Sequence, residues 1–352
     1  MAWQERVLEK HIKLLLENKL AEEGTKLWDR YASTRGEFID DILPWIAKQA
    51  PDLTDHGQRH IEDVIDNASI LLGLPNEHSD DSNINCNHGF TPHEMFILLS
   101  GLLLHDVGNI YGRKKHNLKI GDVWSKMKSW HLWPENERQL IISVGRAHSG
   151  KSLNNSPEDT IKSLDVNPQY FKKCPVRLAP IAAVIRFADE LAEGPQRTSK
   201  FLIENKLITE ESEIYHHYAQ ISQPSIDRAK GRIALSFTIS LDDSSYPTDP
   251  VELENHLCKL LNIAYIRASK MNYERQYARH YAAVLTPFRE TSISLRIYNH
   301  GDTLGPTLDP VLLTDFCNSN EDSELIEKLI EKLDASYTIS TLARKIIEEL
   351  NG

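Results

Sequence analysis

Leu98-Leu99-Ser100-Gly101-Leu102-Leu103-Leu104-His105-Asp106-Val107-Gly108 is apolar almost to its end, then sets an imidazole and a carboxylate side by side. Leu98, Leu99, Leu102 and Leu103 recur at helical spacing, so the segment reads as a helix inside the fold with both polar side chains near its C-terminal end. Burying such groups without partners costs several kcal/mol. A divalent cation is one partner that would meet the cost. A helix cap is the other reading, with His105 against the last carbonyls and Gly108 turning the chain. The remaining histidines and aspartates have to decide between them.

Working outward, Thr91-Pro92-His93-Glu94 has a cap, a proline at the first helical position and a capping-box glutamate, and it launches the central helix. His93 is expected to be exposed there. Further upstream, Thr54 or Asp55 is expected to cap a helix running through Ile61, Val64, Ile65, Ala68 and Leu71 to Gly73. His56 and His60 lie four residues apart, a spacing that puts both on one helical face. Downstream, Asn109 to Asn117 is a compact basic loop containing Arg113, Lys114, Lys115 and His116; it reads as a solvated turn or as a place for phosphate. A helix from about Asn136 carries Leu140, Ile141, Ile142 and Val144 to Arg146 and His148, again delivering a histidine at the end of an apolar run. Pro175 to Leu191 predicts another buried helix, in which Asp189 needs either Arg186, one turn earlier, or a metal as its partner. Gly194-Pro195 ends it, and Arg197 follows.

Elsewhere, Trp3 to Glu22 and Trp28 to Gln49 read as amphipathic helices, interrupted at Gly24 and broken or kinked at Pro44. Pro75 to Gly89 reads as an exposed loop in which His78, Cys86 and His88 carry no site, and Lys151 to Asn167 is also loop-like. His11 reads as a surface residue, and His216-His217 as surface or interface chemistry. Gly231 to Leu241 and Ser292 to Tyr298 alternate as half-buried strands, flanking one long helix or two from Pro250 to about Leu285. Gly301 to Pro310 reads as a loop, and Glu321 to Leu350 as one or two amphipathic helices.

The 352 residues suffice for one large or two modest domains, with ordinary hydrophobic (40%) and charged (26%) content. No run approaches a membrane span, and the N-terminus has no signal-peptide core, which points to a cytoplasmic protein. The four cysteines form no CxxC pair, so no zinc ribbon or redox motif is indicated. A formal charge of −11 disfavours duplex nucleic acid as a partner.

In order, then, the chain presents His60, His105-Asp106, His148 and Asp189, each near a helix end. This ordered set resembles the HD-domain superfamily of metal-dependent phosphohydrolases over roughly Leu53 to Arg197. Leu102 to Gly108 and Ala183 to Leu191 are similar to its central and final motifs. Thr54 to His60 resembles the subgroup found beside chaperone-type ATPase domains, although no ATPase motif is present. The resemblance implies that His60, His105, Asp106 and Asp189 hold one divalent metal, that Asp106 bridges to a second in two-metal members, and that His116 and His148 supply the second ion. Ligands without thiolate suit Mn, Fe, Mg, Ni, Co or Zn. Arg113, Lys115, Arg146, Arg186 and Arg197 are candidates to neutralise phosphate, and His56 to protonate a leaving oxygen or contact a phosphate.

The expected architecture is mostly α, an HD-domain helical bundle with a smaller α+β C-terminal subdomain. Residues 1–50 are expected to add helices packed on the core, residues 51–200 to form the metal-binding domain, and residues 201–352 to cover the site or make a subunit contact. The expected activity is hydrolysis of a phosphoester of a nucleotide or nucleotide-derived signal. A single-strand nuclease and a non-hydrolytic sensing or scaffold module are the alternatives, and a diiron oxygenase is a more distant one.

Overall fold

The computed structural model describes residues 3–49, 54–74, 88–149, 159–242, 245–313, 315 and 337–351. They form two compact units, the first within Met1–Pro51, Asp55–Ala192 and Tyr277–Thr286, the second within Asp52–Thr54, Glu193–Gln276 and Pro287–Gly352. The protein is mostly α with a small α+β part. No single helix among the described residues is long and apolar enough to cross a membrane.

The first unit contains helices α1 (Val7–Leu20), α2 (Glu22–Glu37), α3 (Leu43–Gln49), α4 (Gln58–Leu72), α5 (Pro92–Leu104), α6 (Ile120–Trp124), α7 (Glu135–Arg146) and α8 (Leu178–Glu190). The central helix α5 is buried on every side: Leu98, Leu99, Leu102 and Leu103 are all 0% exposed. Each such side chain contributes about 1.5–3 kcal/mol by leaving water. The Thr91–Glu94 capping box is present, and Glu94 also binds Arg177. Helices α4, α7 and α8 pack around α5 and against one another, apart from the pair α4 and α7, while α1 and α2 also lie against α5. A hairpin of β1 (Gln169–Phe171) and β2 (Cys174–Val176) precedes α8, where the sequence pattern shows only the helix.

Several local expectations are corrected. The break between α1 and α2 falls at Ala21, whose φ is 51°, not at Gly24. Gly24 lies inside α2, where a Cβ would stand 2.1 Å from the Leu16 carbonyl oxygen, so its role is close helix approach. Pro44 is accommodated by a π-helical turn, Phe38–Ile42, closed by the Leu43 N–H donating to the Phe38 carbonyl. Helix α4 starts after Gly57 rather than at Thr54 or Asp55; the Asp55 carboxylate instead accepts from the Gly57 N–H. His93 is buried, its ring 5.3 Å from that of Phe171, and His11 is half-buried, with its ring 5.8 Å from that of His88. His88 is buried as well. His78 and Cys86 lie outside the described residues.

The second unit holds α9 (Lys200–Glu204), α10 (Glu210–Ile221), most of α11 (Pro250–Tyr281), and a sheet of β3 (Ser222–Asp227), β4 (Arg232–Ser240), β5 (Glu290–Asn299) and β6 (Asp302–Leu313), in that order. Strands β4 and β5 are parallel, as the long crossover through α11 permits. Ile233, Leu235, Phe237 and Ile239 pair in register with Thr291, Ile293, Leu295 and Ile297, and all eight are buried. The loop expected over Gly301–Pro310 is instead β6. His300 and Gly301 take positive φ (49° and 87°) in a two-residue hairpin turn, and as an edge strand β6 tolerates its prolines. His216 and His217 are buried rather than on the surface; the His217 ring lies 4.7 Å from that of His256. The last helix, α12, spans Ile339–Asn351; the rest of the expected 321–350 helices lies outside the described residues.

Candidate metal centre

Helix α5 ends at Leu104 because the chain turns through His105 and Asp106 into a 3-10 helix, Val107–Tyr111. Three neighbours converge on that turn. His60 stands in the first turn of α4, His148 two residues beyond α7, and Asp189 in the last turn of α8. His116 opens the short 3-10 helix His116–Lys119. Gly108 allows that approach: a Cβ there would stand 1.9 Å from the His116 carbonyl oxygen.

Two groups result. The ligand atoms of His60, His105, Asp106 and Asp189 all lie within 4.8 Å of one another, as do those of Asp106, His116 and His148. Asp106 belongs to both. Its Oδ2 is 3.4 Å from His60 Nε2 and 3.8 Å from His105 Nε2, and its Oδ1 is 3.0 Å from His116 Nε2 and 3.6 Å from His148 Nε2. Asp189 Oδ1 is 3.3 Å from His60 Nε2 and 3.5 Å from His105 Nε2.

The chemistry of these donors fits a cation. His105, His116 and His148 each place Nδ1 against the backbone carbonyl three residues earlier, at 2.8, 3.0 and 2.5 Å. A carbonyl accepts only, so Nδ1 carries the proton, and in each neutral ring Nε2 is left with its lone pair facing the site. The Nε2 atoms of His116 and His148 then face each other at 2.9 Å, where two lone pairs repel unless a proton or a cation lies with them. His60 Nε2, His105 Nε2 and Asp106 Oδ1 are buried without hydrogen-bond partners among the described residues. Buried polar atoms rarely go unpaired, and a divalent ion would satisfy all three together.

The charge states follow from the same crowding. Burial works against ionising Asp106, but the charge on His105 and the rings of His116, His56 and His60 set against it hold its carboxyl well below the usual range. Asp189 is likewise held low, against its burial, by His105 and His60. Burial opposes charge on His105, yet Asp106 and Asp189 carry its pKa up to about 9. Burial, then the charges of His105 and His116, push His148 down to about 3. The two carboxylates thus draw a proton onto His105, the same pull they would exert on a cation, while His148 stays neutral.

His56 lies before α4, not on its face, yet its ring is 5.2 Å from that of His60 and its Nδ1 is 3.1 Å from Asp106 Oδ2. Arg113 extends its Nη1 to 4.0 Å from Asp106 Oδ1 while half its side chain stays in solvent. Lys115, with φ 60°, and Arg146 are exposed close in sequence to His116 and His148. Arg186 is buried on α8, its guanidinium 4.6 Å from the centre of the Tyr277 ring. Arg197 ends the 3-10 turn Pro195–Arg197, in the second unit.

A model of the HD-CE family matches residues 50–247, more than half of the chain. No curated protein and no solved structure matches it.

Proposed function

Since the chain belongs to the HD-CE family, we propose that it is a metal-dependent phosphohydrolase that cleaves a phosphoester of a nucleotide or nucleotide-derived signal. The observation that carries this reading is Asp106, a buried carboxylate shared by two groups of ligand-type atoms. His60, His105, Asp106 and Asp189 would hold one divalent ion, and Asp106, His116 and His148 a second. Bound there, such ions would supply an activated water near neutral pH and a clamp on the attacking and leaving oxygens of a phosphate. Mn, Fe, Mg, Ni, Co and Zn all suit these ligands.

The chain's own groups do the rest. His56 hydrogen-bonds Asp106 and so orients the shared carboxylate, and from the same place it can hold a proton for the leaving oxygen. Arg113, Lys115 and Arg146 offer exposed positive charge to a phosphate next to the ligand groups. The Tyr277 ring holds Arg186 one helical turn from Asp189, a place from which it can serve the same anion.

The test joins elemental analysis of the purified chain to a phosphate-release screen over nucleotides, cyclic nucleotides and short single-stranded DNA. The expected result is bound divalent metal and turnover of a nucleotide, with both lost in Asp106→Ala. Metal content unchanged in Asp106→Ala would overturn the site. Metal without turnover would leave a sensing or scaffold module, and cleavage of single-stranded DNA alone would make the protein a nuclease.

A further inference from the structure

Beside the metal centre lies more positive charge than one phosphoester can use. Arg113, Lys114, Lys115, Lys119, Lys126 and Arg146 are all exposed, in a chain whose formal charge is −11. Arg113, Lys115 and Arg146 have a use there already; Lys114, Lys119 and Lys126 do not. From Tyr111 to Ser129 the one carboxylate is that of Asp122, also exposed.

These cations belong to one surface. Helix α6 packs against Val107–Tyr111, against His116–Lys119 and against α7, and the Asn117 amide donates to the Arg146 carbonyl at 3.2 Å. Asp122 marks the centre of the group. Lys119 Nζ stands 3.0 Å from its carboxylate and holds it below its ordinary pKa, with Arg146 and Lys126 adding to the pull. Towards the metal centre, Arg113 Nη1 reaches to 4.0 Å from Asp106 Oδ1. Tyr111 lies among them with its side chain exposed; Lys126 donates to its hydroxyl, Nζ 5.0 Å from the ring centre. The turn Phe38–Ile42, with exposed Asp40 and Asp41, packs on the Val107–Tyr111 helix and bounds the group on that side.

We propose that this surface holds a single strand of nucleic acid as a bound partner, its backbone phosphates on the lysines and a base on the Tyr111 ring, whether or not a nucleotide is hydrolysed alongside. Cations spread over the loop before His116, the 3-10 helix after it, the end of α6 and the end of α7 suit a chain of phosphates. A compact anion would be gripped by two or three that converge on it. An exposed aromatic ring among the cations adds a stacking platform, which takes any base because every base has a π-face. In a duplex the bases are already stacked and paired, so Tyr111 has nothing to take, and the acidic remainder of the protein repels so broad a polyanion. Each phosphate neutralised releases condensed counterions, so binding weakens steeply as salt rises.

The experiment titrates the full chain, as purified, into fluorescein-labelled oligo(dT) of about 12 nucleotides, reads anisotropy and recovers the probe on a denaturing gel. The expected result is saturable binding of an uncut probe, with log K falling against log salt at a slope of about −3.5, from about five phosphates at about −0.7 each. The double substitution Lys119→Glu with Lys126→Glu should weaken binding at least about tenfold. Tyr111→Ala should weaken it about tenfold, and pairing the probe with oligo(dA) similarly. Lys259→Glu, the same change of charge on the second unit, should bind as wild type does. No binding at low salt, an equal loss in Lys259→Glu, or wild-type affinity in Tyr111→Ala would overturn the proposal. So would displacement of the strand by an equal concentration of tripolyphosphate, the mark of a site for a compact anion, or a probe recovered cut, which would make the strand a substrate. The phosphohydrolase reading is tested separately, by metal content and phosphate release from nucleotides, so the two can fail independently.

Discussion

Replacing Gly108 by alanine should separate the two ligand groups. A Cβ at this position would stand 1.9 Å from the His116 carbonyl oxygen, 2.8 Å from its carbon and 3.1 Å from Lys119 Cβ, whereas real Cβ contacts essentially never fall below 3.0 Å. The backbone at His116 must then retreat by about 1.1 Å, and because the obstacle is main chain, no rotamer change relieves it. His116 Nε2 is now 3.0 Å from Asp106 Oδ1, so a shift of that size takes it beyond direct partnership. Overpacking of this kind costs about 1–3 kcal/mol. At about 2–4 °C per kcal/mol for a unit of this size, the melting temperature should fall by about 2–12 °C. On the two-ion reading proposed above, metal content by elemental analysis should drop from two ions per chain to one, since His60, His105, Asp106 and Asp189 form a group of their own. Gly108→Ala with wild-type melting temperature and wild-type metal content would refute the steric argument.

Two further outcomes concern pH. Burial would raise the Glu94 carboxyl, but Arg177 and the Thr91 and Arg177 N–H groups hold it below its usual value of 4.5. Its contribution is therefore present above that pH and lost as pH falls through the folded value. Glu94→Gln should be clearly less stable than wild type to urea at pH 7, with the difference shrinking below pH 4.5; a difference that did not change with pH would sink the assignment. His88 runs the other way. Burial, with the His11 charge and against that of Glu94, pushes its pKa from 6.5 to about 4. The unfolded chain binds the extra proton in that window, so stability should decline as pH drops from 6.5 to 4, and His88→Gln should flatten that part of the urea-denaturation profile.

Much of the ligand set was legible because its signals are local. Leu98 to Asp106 announces a buried helix with ionisable groups at its end, and Leu140 to His148 and Ile181 to Asp189 repeat the theme. The structure brings those ends together, with His60 and His116 beside them. Other residues misled for definite reasons. His93, His216 and His217 are polar residues on helices, and whether such a position meets water depends on which element covers it; here Phe171 faces His93, while His256 and Tyr246 face His217. Gly305, Pro306 and Pro310 read as a loop, yet they fall where the edge strand β6 shifts register against β5, so its prolines sit at irregularities that a strand edge tolerates. Gly24 looked like a helix break, but its reason is the Leu16 backbone on another helix.

By itself, the amino-acid sequence determined that the chain is mostly helical, that its central helix is buried, and that histidines and aspartates recur at helix ends. Those properties follow from periodicity and from the cost of burying charge, both short-range along the chain. Only the tertiary structure decided that one carboxylate, Asp106, belongs to two groups of ligand-type atoms and that His56 reaches it from outside α4. Each of these depends on distances between segments tens of residues apart. Such distances are set by how α4, α5, α7 and α8 pack and by how closely Gly108 lets two turns meet, which no local pattern encodes.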